Sequence, residues 1–92
     1  MTIKEIDNSI FYDDLVTRRW RERHEGEYDD VSTMTNNALA EACTYCPSID
    51  NPFARELIRR AGKLQDFDRA AEGVERFKLL QACAKSFGII IY

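Results

Sequence analysis

Residues 41–62 read EACTYCPSIDNPFARELIRRAG and contain the end of one predicted helix and the whole of the next. Asn51 is a good N-cap, and Pro52 suits the first helical position because its missing N–H would have no partner inside the helix. The apolar positions that follow recur at helical spacing: Phe53, Leu57, Ile58 and Ala61. Gly62 is a typical C-terminal break, so we predict a helix that begins at Pro52 and ends before this glycine.

The helix before it should end at Tyr45 or Cys46, because Pro47 disfavours helical geometry in the residue that precedes it. Upstream apolar residues recur at spacings of three and four: Val31, Met34, Ala38, Ala42 and Tyr45. Ser32 or Thr35 can cap the first turn by accepting a backbone N–H. The pattern predicts a helix that spans these positions.

A helix is also predicted from about Ser9 to His24, with Asp13 and Asp14 near its start and arginines near its end. Acids at the positive pole and bases at the negative pole of a helix complement its dipole. This pattern gives the first helix of the chain.

The C-terminal part predicts one long helix over residues 64–87. A break near Gly73, where glycine costs about 1 kcal/mol relative to alanine in a helix, is the alternative. Ile89–Tyr92 reads as a short strand or as an extended tail packed on the core, and Thr2–Ile6 is a candidate strand partner for it. The predicted fold class is therefore all-α, a small bundle of about four helices with an optional short C-terminal β-strand, in a single domain over residues 1–92.

Composition limits the class of protein. Of the 92 residues, 45% are apolar and 32% are charged with mixed sign, which predicts a folded domain with one core. The opening MTIKEIDN carries acids where a secretory signal would carry bases, and no stretch approaches the roughly 20 apolar residues of a membrane helix. We expect a cytoplasmic protein that does not bind membranes.

The three cysteines could indicate a metal site or a redox site, but their positions in the sequence argue against both. Cys43 and Cys46 are three apart, but only Cys83 and His24 could complete a zinc site, and neither belongs to a second closely spaced pair. A redox pair is best placed at a helix N-terminus, whereas these two lie at a predicted helix end. We expect buried, reduced thiols, no metal site and no cofactor; a module that binds zinc through the three cysteines is the alternative.

No catalytic motif is recognisable. The sequence has no Gly-rich phosphate loop, calcium-binding loop or hydrolase nucleophile elbow, and His24 has no serine or cysteine near it in sequence. We therefore expect no catalytic residues and a protein that is not an enzyme.

The most distinctive charged segment is RRWRERH at residues 18–24. Arginine together with tryptophan is the composition favoured at interaction hot spots. The predicted partner-binding residues are Arg18, Arg19, Trp20, Arg21 and Arg23. The alternative is a tryptophan in the core that the arginines cover with their aliphatic stems.

A second basic group consists of Arg55, Arg59, Arg60 and Lys63 on the polar face of the Pro52 helix. With the preceding helix, this segment could resemble a helix-turn-helix that reads DNA. The net charge of −3 and the acids Asp50, Glu56, Asp66 and Asp68 argue against phosphate binding, so DNA binding is the alternative function.

The short, acidic, helical profile is similar in size and composition to the small accessory proteins with which phages and other mobile elements bind and modulate host proteins. We therefore expect a non-enzymatic inhibitor or modulator whose partner is a larger host protein or complex. An apolar C-terminal tail also leaves a homodimer as an option.

Overall fold

The computed structural model describes residues 10–26 and 30–92. In these ranges the chain forms five α-helices: α1 (Leu15–Arg23), α2 (Asn36–Thr44), α3 (Pro52–Arg60), α4 (Leu64–Arg69) and α5 (Val74–Ser86). A 3₁₀ helix, Val31–Thr33, precedes α2. The all-α fold class is confirmed for the described residues, with five helices instead of four.

The α3 boundaries follow the prediction. The Asn51 side chain accepts a hydrogen bond from the Ala54 N–H at 2.9 Å, and Pro52 is the first helical residue. Gly62 follows the helix with a φ of 74°, a left-handed conformation that glycine adopts without steric cost. α3 therefore begins and ends where its local signals indicate.

The first two helices begin later than predicted. α1 starts at Leu15, not near Ser9, because the Asp14 carboxylate accepts the Thr17 N–H at 2.7 Å and caps the helix there. The predicted second helix is divided: Asp30 caps the 3₁₀ helix, and Thr35 caps α2 by accepting the Ala38 N–H at 3.1 Å. Of the two caps predicted for the second helix, Thr35 is the one used, and Ser32 lies in the 3₁₀ helix.

The single long helix predicted over residues 64–87 is wrong, and the alternative of a break near Gly73 is the one observed. α4 ends at Arg69 and α5 begins at Val74, with Gly73 at a φ of 87° between them. This break makes two helices out of the single long one and accounts for the fifth helix.

The core is built around α3, which packs against α2, α4, α5 and the 3₁₀ helix. Several large side chains are fully buried: Trp20, Leu39, Phe53, Leu57, Ile58 and Phe67. Burying a side chain of this size contributes about 1.5–3 kcal/mol, and α3 provides three of them, Phe53, Leu57 and Ile58.

The C-terminal tail is extended but forms no β-strand within the described residues. Ile91 is buried, and its carbonyl accepts a hydrogen bond from Gln81 Nε2 at 2.9 Å. The alternative of a tail packed on the core is the one observed, while the candidate strand partner Thr2–Ile6 lies outside the described residues. None of the described helices combines the length and the apolar character that a bilayer crossing requires.

Candidate functional site

Trp20 lies in the core, which removes it from the predicted contact surface. The indole is fully buried and stacks on Tyr45 and on His24, with ring centroids 5.2 and 4.8 Å away. His24 is the C-cap residue of α1, as its position at the helix end predicted. A partner that docks on the folded chain cannot reach the Trp20 ring, so the alternative interpretation of this tryptophan is the correct one.

The four arginines of α1 are arranged in two ways. Arg18 donates to Asp13 Oδ1 at 2.8 Å, and the guanidinium of the half-buried Arg21 lies over the Phe11 ring at 5.3 Å from its centroid. Arg19 and Arg23 are exposed, and neither makes an ion pair in the part of the chain that the structure describes. Among residues 10–26 and 30–92, these two arginines of α1 have no carboxylate partner.

Large apolar side chains lie next to these two arginines. Leu15 is 63% exposed and Val16 is 62% exposed. Leu15, Arg19 and Arg23 follow one another at intervals of four, which places them in one row along the helix. We refer to Leu15, Val16, Arg19 and Arg23 as the α1 outer face.

Apolar spacing alone does not separate Leu15 and Val16 from the core. Leu15 follows the buried Phe11 by four residues, and Val16 precedes the buried Trp20 by four, so each could equally belong to a buried row. The buried residues of α1 are Thr17 and Trp20, which point away from Leu15. The available signal was the spacing of Arg19 and Arg23, which are four residues apart, since a row that contains two arginines is expected to face water.

The chain segment before α1 is attached to the end of α2. The Tyr12 N–H donates to the Tyr45 carbonyl at 2.8 Å, and the Phe11 ring packs 5.5 Å from that of Phe53. Tyr12 itself is 48% exposed. An exposed aromatic side chain therefore precedes the α1 outer face by three residues.

The basic residues of α3, and Lys63 just after it, are each paired with a carboxylate. Arg55 donates to Asp50 at 2.6 Å and to Asp68 at 3.0 Å. Arg59 and Arg60 both bind Glu56, at 2.7 and 3.0 Å, and Lys63 lies 3.9 Å from Asp66. Phosphate would have to displace these carboxylates, so the arrangement does not favour the DNA-binding alternative.

Arg60 also connects two parts of the fold. It donates to Asn36 Oδ1 at 2.9 Å and to the carbonyls of Val31 and Ser32 at 3.3 and 3.0 Å. These contacts attach the 3₁₀ helix and the start of α2 to α3. Of the predicted nucleic-acid-binding residues, Arg60 has a structural role.

A cluster of alternating charge surrounds Phe67. Arg55 and Arg76 lie over its ring at 5.3 and 4.8 Å from the centroid, and Asp50 accepts hydrogen bonds from both guanidinium groups. The Arg55 hydrogen bond lowers the pKa of Asp50 below its usual value, with smaller contributions from the charges of Arg55 and Arg76. The cluster fixes α4 and α5 against the start of α3.

A cavity of about 580 Å³ adjoins this cluster, between the 3₁₀ helix and α3. Its charged lining residues are Asp30, Asp50, Glu56, Arg55 and Arg59. Acids outnumber bases, and each of these arginines already binds a carboxylate, so the cavity is not arranged to bind an anion.

The three cysteines are free thiols. Cys46 and Cys83 are buried and Cys43 is half-buried, as the interpretation of core cysteines predicted. Burial raises the pKa of Cys46 to about 12, and burial together with the neighbouring Cys46 raises the pKa of Cys43 further. Within residues 10–26 and 30–92 no group of three or more His, Cys, Asp or Glu side chains could hold a metal ion.

Comparisons with protein-family models, with curated proteins and with solved structures give no significant match.

Proposed function

We propose that this chain is a non-enzymatic protein-binding module that contacts its partner through the α1 outer face. One observation carries the proposal: exposed Leu15 and Val16 lie on the same helix face as Arg19 and Arg23, which have no carboxylate partner in the described residues. The arginines of α3 are compensated, so they do not compete for this role.

The chemistry of this face indicates the kind of partner. Single exposed aliphatic residues are common on protein surfaces, but here two are adjacent and are followed by two guanidinium groups that have no carboxylate partner in the described part of the chain. Arginine is enriched in protein interfaces, where it binds carboxylates through paired hydrogen bonds. The complementary surface therefore carries exposed carboxylates beside apolar side chains.

We place the protein among inhibitors or modulators of a larger host protein. The supporting features are its short chain, its acidic net charge and the absence of a recognisable catalytic motif from the sequence. The small accessory proteins of phages and other mobile elements share this profile. The α1 outer face would then occupy a docking or regulatory surface of the host protein.

Affinity capture from a bacterial lysate tests the proposal. Three tagged proteins are compared: the wild type, R19E/R23E, and the charge-matched control K78E/K85E. Lys78 and Lys85 are exposed on α5 and, like Arg19 and Arg23, make no ion pair with any described residue. Each capture is repeated with nuclease and at low and moderate salt, and bound proteins are identified by mass spectrometry.

The proposal predicts one stoichiometric protein that the wild type and K78E/K85E retain after nuclease treatment and R19E/R23E loses. If all three proteins retain it equally, the contact surface lies elsewhere. If capture depends on nucleic acid and falls steeply with salt, the DNA-binding alternative replaces the proposal.

A further inference from the structure

A second cavity, of about 310 Å³, lies where the end of α2, the α2–α3 connection, α5 and the C-terminal tail meet. Its apolar lining includes Tyr12, Cys43, Phe77, Leu80, Ile91 and Tyr92. The volume is at the lower end of the roughly 300–1,000 Å³ range of ligand pockets, so the space accepts one ring-sized group.

No lining side chain carries a formal charge; the polar ones are Thr44, Ser48 and Asn51. The raised pKa values of Cys43 and Cys46 keep both thiols protonated near neutral pH, so neither side chain adds a charge to the cavity. A charged group placed here would lose hydration without gaining an ionic partner, which is unfavourable. The lining therefore selects an uncharged apolar group.

Tyr12 links the cavity to the α1 outer face. It lines the cavity, is 48% exposed, and lies three residues before Leu15. Its backbone hydrogen bond to Tyr45 fixes this position against the end of α2. Three residues of chain span at most about 11 Å, so Tyr12 and the cavity that it lines are close enough to Leu15 for one partner to contact both.

We infer that this cavity receives one uncharged aromatic or branched aliphatic side chain from the acidic partner that binds the α1 outer face. The inference rests on the proposed function and adds a recognition element to it: carboxylates opposite Arg19 and Arg23, and a neighbouring apolar anchor for the cavity. Interfaces of this kind concentrate binding energy in an anchor residue that fills a pocket.

Selection from a displayed random-peptide library tests the inference. The immobilised proteins are the wild type, S48W, R19E/R23E and the control Q65W. Ser48 is exposed and lines the cavity, and the described contact of this residue uses its backbone carbonyl, which accepts from Asn51 Nδ2. Tryptophan at position 48 can therefore fill the cavity mouth without removing that hydrogen bond. Gln65 is exposed on α4, outside the lining.

The wild type and Q65W should enrich peptides that combine acidic residues with a large uncharged side chain. S48W should keep the preference for acids and lose the preference for the large side chain, and should bind the best wild-type peptide about tenfold more weakly. R19E/R23E should keep the preference for the large uncharged side chain and lose the preference for acids. Circular dichroism establishes that all four proteins are equally folded.

The outcomes separate the two proposals. If S48W selects the same peptides as the wild type, or if the wild type enriches no large uncharged side chain, the cavity is not an anchor site and the inference fails. If R19E/R23E keeps the preference for acidic peptides, the proposed function fails at its contact surface, whatever S48W shows.

A second measurement uses small probes in place of peptides. Toluene and p-cresol, which correspond to the side chains of phenylalanine and tyrosine, are titrated while the methyl signals of Leu80 and Ile91 are followed by NMR. Saturable shifts in the wild type that are absent from S48W support the inference. Equal shifts in both proteins, or none in the wild type, overturn it.

Discussion

Trp20 stacks on Tyr45 with ring centroids 5.2 Å apart and an angle of 29° between the ring planes. This contact joins α1 to the end of α2 and turns Leu15 and Arg19 outward. The only tryptophan of the chain therefore determines which side of α1 faces solvent.

Replacement of Trp20 by alanine should lower the free energy of unfolding by about 3–5 kcal/mol, because it removes a fully buried ring and leaves a cavity. Leu15→Ala, at a residue that is 63% exposed, should change it by no more than about 0.5 kcal/mol. Urea unfolding followed by circular dichroism measures both. A loss below about 1 kcal/mol for Trp20→Ala would contradict the assignment of Trp20 to the core.

Arg60→Ala should destabilise the fold by about 1.5–3 kcal/mol, because charge-assisted hydrogen bonds to Asn36 and to two backbone carbonyls are lost. Arg59→Ala removes a side chain that is 58% exposed and should cost less than about 1 kcal/mol. Thermal unfolding of the two variants side by side distinguishes them. Equal and small effects of the two substitutions would contradict the structural role of Arg60 and would indicate an exposed basic residue, as the sequence predicted.

The contrast between Arg59 and Arg60 shows what sequence could not supply. Adjacent arginines on one predicted polar face are equivalent by spacing, yet Arg60 binds carbonyls 28 and 29 residues away. The boundaries of α3 could be predicted because their signals are local, such as the Asn51 cap three residues before Ala54. Contacts between distant segments decide which basic residues remain available to a partner.

The start of α1 illustrates a different limit. Asp13 and Asp14 both suit a helix N-terminus, and only the geometry assigns the cap to Asp14 and an ion pair with Arg18 to Asp13. Because apolar rows through Leu15 and through Trp20 overlap in sequence, the buried row could not be chosen in advance. The packing of Trp20 on Tyr45 determines which row is buried, and the candidate site lies on the row that stays exposed.

Asp50→Asn should reduce stability at neutral pH by about 1 kcal/mol, a value limited by the 39% exposure of the Asp50 side chain. The pKa of Asp50 is lowered in the fold, mainly by the Arg55 hydrogen bond, so its contribution is complete above the unfolded value near 3.8 and is lost as pH falls through the folded pKa. The difference in the free energy of unfolding between wild type and variant should therefore become smaller as the pH falls.

Chemical unfolding of Asp50→Asn between neutral pH and about pH 2 checks this expectation. Glu41→Gln is the control, since Glu41 is exposed and forms no ion pair with a described residue. A difference that stayed constant across the acid range would show that the Asp50 carboxylate is not stabilised by its arginine partners.

Burial of the thiols predicts a loss of stability in alkali. The pKa of Cys46 is raised to about 12, so the thiol contributes stability below the unfolded pKa near 8.5, and this is lost as pH rises. The free energy of unfolding should fall by about 1.4 kcal/mol per pH unit for each buried thiol with a raised pKa. Cys46→Ala should show a shallower decline than the wild type above about pH 9, and parallel declines would argue against a buried thiol.

The position of the contact surface is the central claim, and site-specific photocrosslinking tests it most directly. A photoreactive amino acid replaces Leu15 in one protein and Val74, which is 68% exposed on α5, in the other. Both are irradiated in nuclease-treated bacterial lysate. The account predicts a discrete protein adduct from position 15 and none from position 74. No adduct at position 15, or the same adducts at both positions, would contradict it.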